Sequence, residues 1–218
     1  MTPEPDAPDD PDDGAADLTR LVLTLIGSRH SVAPKRLLAP GPDATQLLQL
    51  VDAAACAPDH RGLRPWRLVR IADHQRDALA DLFEACTRER MADDDPPAGA
   101  DDIARSRDKA YRAPTLLLAV LKAEPADPEV PLIERAVTLG AALMNLLLAA
   151  HGLGFAAMLT SGRAVRSARF AQAMGLATGE QAVCFVSIGT AAVGQRRGRG
   201  SAADYLGDWC PGAAGPAR

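Results

Sequence analysis

The 218-residue sequence predicts one α+β domain, and three observations carry that prediction. Segments with apolar residues at helical spacing outnumber strand-like runs. The two kinds do not alternate in the strand–helix–strand rhythm of a doubly wound parallel sheet. No Gly-x-Gly-x-x-Gly follows a strand, and no Gly-x-x-x-x-Gly-Lys-Ser/Thr is present, so neither a Rossmann site nor a P-loop is supported. With 47% hydrophobic residues but only 4% aromatic ones, the core must rest on aliphatic helix packing.

The elements follow in order along the chain. Residues 1–16 hold Pro, Asp and Ala without apolar periodicity and read as a disordered acidic tail. The domain spans 17–218. Leu18, Leu21, Val22, Leu25 and Ile26 recur at helical spacing, and Gly27 ends that helix. A Pro-marked stretch from Pro34 to Pro42 follows. Asp43 is a suitable N-cap for a helix through Ala57. A polar loop, Pro58 to Pro65, leads to a strand from Trp66 to Ile71. Asp73 caps a helix toward Arg90, and Asp102 to Lys109 form a short one. Pro114 stops it, and Thr115 to Val120 is a buried strand. Pro131 opens the longest helix, which Gly152 and Gly154 terminate after His151. A strand from Phe155 to Leu159, a helix from Val165 to Met174 and a strand from Ala182 to Ile188 complete the pattern. Residues 190–218 form a basic, Gly-rich C-terminal segment of the same domain.

Charge excludes several functions. Seven of the 28 acids fall within residues 1–17, which hold no Lys or Arg. The body therefore carries 21 acids against 24 basic residues, too balanced for a nucleic-acid binder. Cys56, Cys86, Cys184 and Cys210 are widely spaced, which indicates neither a disulfide framework nor a zinc site. The apolar run Ala136–Ala150 is interrupted by Asn145 and is shorter than the ~20 residues a bilayer span needs. No metal and no membrane contact is expected, and the cytoplasm is the expected location.

Four loop segments concentrate residues suited to chemistry. They are Ser28-Arg29-His30-Ser31, then Ala57-Pro58-Asp59-His60-Arg61 with Pro65-Trp66-Arg67, then Thr160-Ser161-Gly162, and lastly Gly189-Thr190 before Arg196, Arg197 and Arg199. Read alone, each has a plain structural alternative. Arg29 could simply complement a helix C-terminus. Asp59 could form an Asx turn, Trp66 could start its strand in the core, and Ser161 could cap a helix.

Together, in this order and spacing, the segments resemble the FMN-dependent nitroreductase family, in particular its minimal bacterial NAD(P)H nitroreductases. The carriers are the Arg-x-Ser after the first helix, the A-P-D-H-R…P-W-R string, the Gly-x-Gly-Phe ending the long helix, the T-S-G turn and the late S-I-G-T. The resemblance runs from about Leu18 to Thr190. It implies a three-layer sandwich with a central, mainly antiparallel sheet flanked by helices, in an intertwined homodimer with FMN at the subunit boundary. It implies FMN contacts at Arg29, His30, Ser31, Cys56, His60, Leu159, Thr160, Ser161, Arg197 and Arg199, with His60 coming from the partner subunit. It assigns Ala149, Ala150, His151, Gly152, Leu153 and Gly154 to the nicotinamide nucleotide, although the two glycines also suffice as a helix cap.

The implied activity is hydride transfer from NADPH or NADH through flavin N5 to a nitroaromatic, quinone or similar small electron-poor acceptor, in ping-pong fashion. The flavin carries the chemistry, so no catalytic side chain is required. An alternative is a protein of the same fold that binds and sequesters FMN with little turnover. It is motivated by departures from the family pattern. His30 and Cys56 stand where arginines are usual, and Leu159 and Thr160 where an aromatic and a basic residue are usual. Arg61, Arg163 or the late arginines could restore the charge. The apolar residues around the long helix point independently to a covering partner, as a wholly internal core helix would too.

Overall fold

The computed structural model describes residues 11–91, 96–123, 127, 129–191 and 200–209. Ten regular elements are found among them. In chain order they are α1 (Pro11–Ser28), α2 (Ala44–Ala55), β1 (Trp66–Arg70), α3 (Arg76–Arg90), α4 (Ala100–Asp108), β2 (Thr115–Lys122), α5 (Leu132–Gly152), β3 (Ala156–Thr160), α6 (Ala168–Ala173) and β4 (Glu180–Gly189). Every expected helix and strand is present, and the departures lie at boundaries.

The four strands form one sheet of order β1-β2-β4-β3 with all three pairings antiparallel. Alternation along the central strands divides the core into two layers. Leu117, Ala119 and Leu121 of β2 and Cys184, Val186 and Ile188 of β4 face α2 and α5, meeting Leu50, Leu143 and Leu146. Leu116, Leu118 and Val120 face the other way with Phe185, onto Leu79 and Phe83 of α3 and Phe170 of α6. Three of the chain's four phenylalanines, Phe83, Phe170 and Phe185, pack there with ring centroids 5.8–6.3 Å apart. The result is a three-layer α+β sandwich, with helices on both faces of an antiparallel sheet.

Local chemistry explains the boundaries. α1 begins at Pro11, ahead of the expected Asp17, so residues 11–16 are helical, while residues 1–10 of the expected tail lie outside the described residues. A Pro followed by acids is a favourable helix start, because its missing N–H is not needed there and the macrodipole favours negative charge. Asp43 caps α2 as expected: it accepts from Gln46 N at 2.8 Å while Asp43 N donates to Gln46 Oε1 at 3.0 Å. α2 ends at Ala55, two residues early, because Cys56 N and Ala57 N turn back to Ala53 O and Ala54 O. Asp73 does not cap α3. A 3-10 turn over Asp73–Gln75 intervenes, and its entry is held by Ala72 N donating to Gln75 Oε1. The expected helix from Val165 to Met174 is split at Ser167, whose extended backbone (ψ 148°) separates a 3-10 turn, Ala164–Arg166, from α6. The Ser167 hydroxyl accepts from Phe170 N and so starts α6 anew.

Length and hydropathy would let α5 cross a membrane. Instead it lies on the sheet, with Leu139, Leu143, Leu146 and Leu147 in the core. Its outer side is uncovered at Leu132, Ile133 and Val137.

Candidate functional site at the edge of the sheet

β3 lies at the margin of the sheet, and residues 31–34 run beside it. Ser31 bridges Ala157 in parallel, and Val32 N donates to Ala157 O at 3.3 Å. This pairing brings the Arg-x-Ser segment and the T-S-G turn, about 130 residues apart in sequence, to one edge.

A cavity of about 410 Å³ opens where Pro34 meets Thr160, Ser161 and Gly162. Its floor is apolar, formed by Phe83, Leu116, Val165 and Phe185. Its walls carry the hydroxyls of Thr87, Ser106, Thr160, Ser161 and Ser187. Arg90, Lys109, Arg112 and Arg163 line it, and no carboxylate does among the described residues. Arg112 is paired outside the cavity, its Nε 2.8 Å from Asp108 Oδ2. Lys109 is held below the ordinary lysine value, first by partial desolvation and then by repulsion from Arg112 and Arg90. Such clustering of like charge is costly without an anion and favourable with one.

Two elements place these groups. β3 ends at Thr160, paired with Phe185 on β4, and the chain turns sharply over Ser161-Gly162-Arg163 before the next 3-10 turn. The N–H groups of those three residues lie outside both the sheet and the helix ladders. Opposite, the end of α4 and the turn Lys109–Tyr111 present Ser106, Lys109 and Arg112. Ser106 Oγ donates to Phe83 O at 3.0 Å and lies 2.7 Å from Thr87 Oγ1, which fixes both hydroxyls against α3.

A smaller hollow adjoins the other end of the paired segment, lined by Arg29, His30, Leu147, His151, Phe155 and Ala157. His30 Nδ1 donates to Ser28 O at 3.2 Å, and the Ser28 hydroxyl lies 2.8 Å from His151 Nε2. Arg29 Nε is buried there. His30 thus braces the end of α1, a role that an arginine at this position would not fill in the same way.

The nicotinamide stretch forms the end of α5. Leu153 N donates to Ala149 O, Gly154 N to His151 O and Phe155 N to Ala150 O. Gly154 has φ +84°, the left-handed geometry that lets this cap close. Ala150 is fully buried, while Gly152 and Leu153 are exposed. Gly154 therefore fulfils the cap reading, while Gly152 is the last residue of α5 itself.

The remaining candidates lie apart from the large cavity. Cys56 is exposed at the end of α2, its thiol directed to Asp52 O. His60 sits in the loop before β1 and pairs with Glu134. Leu159 packs against the α2–α5 layer. Arg196, Arg197 and Arg199 lie outside the described residues. In the S-I-G-T string, Ser187 lines the cavity and Ile188 is core. A Cβ on Gly189 would lie 2.8 Å from Pro114 Cδ, and Thr190 pairs with Leu38. Sequence reasoning missed Arg90, Ser106, Lys109 and Arg112. Their segments read as ordinary amphipathic helices, and only the packing of α3 on the sheet and of α4 on α3 turns these faces toward the cavity.

Known proteins match this sequence and this fold. The sequence profile of the Nitroreductase family matches residues 26–190. A Haemophilus influenzae protein provisionally named an NAD(P)H nitroreductase is 32% identical over 168 residues, 77% of this chain and 87% of its own length. Among solved structures, a nitroreductase-like family protein from Bacillus cereus superposes with a TM-score of 0.73 at 19% identity, covering 86% of this chain and 95% of its own. A Desulfovibrio desulfuricans protein provisionally named a nitroreductase, solved in complex with FMN, superposes with a TM-score of 0.65 at 22% identity, covering 87% and 96%.

Proposed function

The chain belongs to the nitroreductase family, and from that premise we propose that it is a cytoplasmic, homodimeric, FMN-dependent oxidoreductase that uses NADPH or NADH to reduce a small electron-poor acceptor. One observation carries the reading: a cavity with four lining cations, five hydroxyls, an apolar floor and no lining carboxylate among the described residues. FMN suits such a lining, because its flat ring would rest on the apolar floor and the cations would offset the negative charge it takes up on reduction.

Arg29 and Ser31 would hold the phosphate at one end of the paired edge, with Arg197 or Arg199 as a second cation. Thr160, Ser161 and the N–H groups of their turn would border the ring. When bound, FMN supplies hydride transfer from the nicotinamide to a nitroaromatic, quinone or similar acceptor. The chain's own part is electrostatic. Lys109, Arg112 and Arg163 would offset negative charge in the cavity, and the floor of Phe83, Leu116, Val165 and Phe185 excludes water. No general base is needed among these residues.

A second copy is called for by exposed apolar surface. Leu21 and Leu23 of α1 are 65% and 63% exposed, and Ile133 and Val137 of α5 are 69% and 66% exposed. Surface of this kind, spread over neighbouring helices, marks an interface. α1 and α5 touch within the chain, so one partner can cover both.

The test is an absorbance spectrum of the purified protein, with oxidised-flavin bands near ~370 and ~450 nm expected from the cofactor itself. Arg29→Ala and Ser31→Ala should each lower flavin occupancy. A protein that stays colourless after incubation with excess FMN overturns the reading. A yellow protein that oxidises neither NADPH nor NADH with any acceptor selects the FMN-sequestering alternative, which the changed residues His30, Cys56, Leu159 and Thr160 favour.

A further inference from the structure

The loop that carries His60 is costly to form. Arg61 and Arg64 both hold left-handed backbone, φ +62° and +48°, on either side of Gly62 at +64° and Leu63. Non-glycine residues rarely occupy that region, where their Cβ crowds the backbone. The structure compensates with dedicated contacts. The Asp59 carboxylate accepts from Leu63 N at 3.1 Å and from Arg64 N at 2.7 Å, closing the turn from inside. Arg61 pairs with Glu129 and lies 3.6 Å from Asp127. His60 Nδ1 lies 2.7 Å from Glu134 Oε2.

Glu134 stands on firm ground. It sits in the first turn of α5, where the macrodipole favours a carboxylate. Its neighbour Arg135 is 4% exposed and donates to Val130 O and Ala123 O, locking the entry to the helix. Among the described residues, the charged groups of this assembly are Asp59 and Arg61 on the His60 loop, Asp127 and Glu129 on the segment before α5, and Glu134 on α5.

A carboxylate only accepts, so the hydrogen must be on Nδ1 of His60. That leaves Nε2 as the ring atom that can accept from a further partner, on a side chain 56% exposed. The same first turns of α5 carry the uncovered Leu132, Ile133 and Val137. His60 thus stands at the rim of the surface that a second copy would cover.

The geometry points to Glu134 as the positioning residue that fixes the tautomer and orientation of His60, so that Nε2 is presented across the subunit boundary to the flavin site of the partner. This deepens the proposed function and rests on it. It also explains why two arginines are held in left-handed backbone: the strain is spent on aiming one imidazole.

The test uses the full chain. Nitrogen NMR of the His60 ring in the flavin-free protein should show hydrogen on Nδ1 in the wild type and in Glu134→Gln, whose amide oxygen still accepts. In Glu134→Ala it should revert to the mixture of a free imidazole. In the flavin-loaded protein, Glu134→Ala should weaken FMN binding about tenfold, as His60→Ala does, and the double variant should weaken it no further. Persistence of the Nδ1 hydrogen in Glu134→Ala, or additive losses in the double variant, overturns the proposal while leaving flavin binding intact. If His60→Ala leaves FMN affinity unchanged, the contact across the boundary is wrong and the proposal falls with it. A chain that never takes up FMN defeats the underlying reading instead.

Discussion

Glu180 shows how one residue can be legible as a type but not as a partner. In sequence it merely precedes a strand. In the fold it reaches over β2 to Arg67 on β1, whose Nε and Nη2 donate to its two oxygens at 2.7 Å each. The hydrogen bonds from Arg67 outweigh desolvation and bring the Glu180 carboxyl down to about 2. Because the folded value lies below the unfolded one, the pair stabilises the protein above pH ~4.5, and that contribution fades as pH falls toward 2. Glu180→Gln should cost about 2 kcal/mol at pH 7, discounted because Arg67 is partly exposed. The cost should shrink on acidification, which denaturant melts at pH 7 and pH 3 would measure. Equal losses at both pH values would remove the charge from the explanation. Cys184 illustrates the reverse case. Burial pushes its thiol up to about 11, so a thiol reagent at pH 8 should label Cys56 and spare Cys184 until the protein unfolds.

At the scale of elements, the sequence was most legible where local chemistry is self-sufficient. Asp43 reads as an N-cap, and the structure confirms it and adds Gln46 as the second half of a capping box. Asp43→Ala should cost about 1 kcal/mol, seen as a lower denaturation midpoint without a change in slope. Gly152-Leu-Gly154 likewise stops α5 where expected. Prediction was poorest where a local signal had a rival. Asp73 has the right type for a cap, but the chain takes a 3-10 turn at that point and leaves its side chain 96% exposed. Ser167 lies within an apolar period that reads as one helix, but its extended backbone starts a second one. In both cases packing against the sheet selected among locally equivalent conformations.

At the scale of the whole molecule, the exposed apolar residues of α1 and α5 make a prediction about assembly. The double substitution Ile133→Glu, Val137→Glu places two charges on surface that the proposed dimer buries. It should yield a monomer with depleted flavin, readable by sedimentation and absorbance together. A monomeric wild-type protein, or a variant still dimeric and yellow, would show that these residues face solvent.

The chain by itself determined the class of the fold, the order of its helices and strands, and the family to which the chemistry belongs. Fold class and element order rest on periodicity and caps whose partners lie a few residues apart, and the family rests on the order and spacing of short motifs along the chain. Only the tertiary structure decided that Arg90, Ser106, Lys109 and Arg112 line the same cavity as Thr160 and Ser161, and that Glu134 meets His60. Such groups are gathered by the sheet register and by helices packed on its faces. A cavity is a property of surfaces that meet, and no local stretch of sequence carries the other surface.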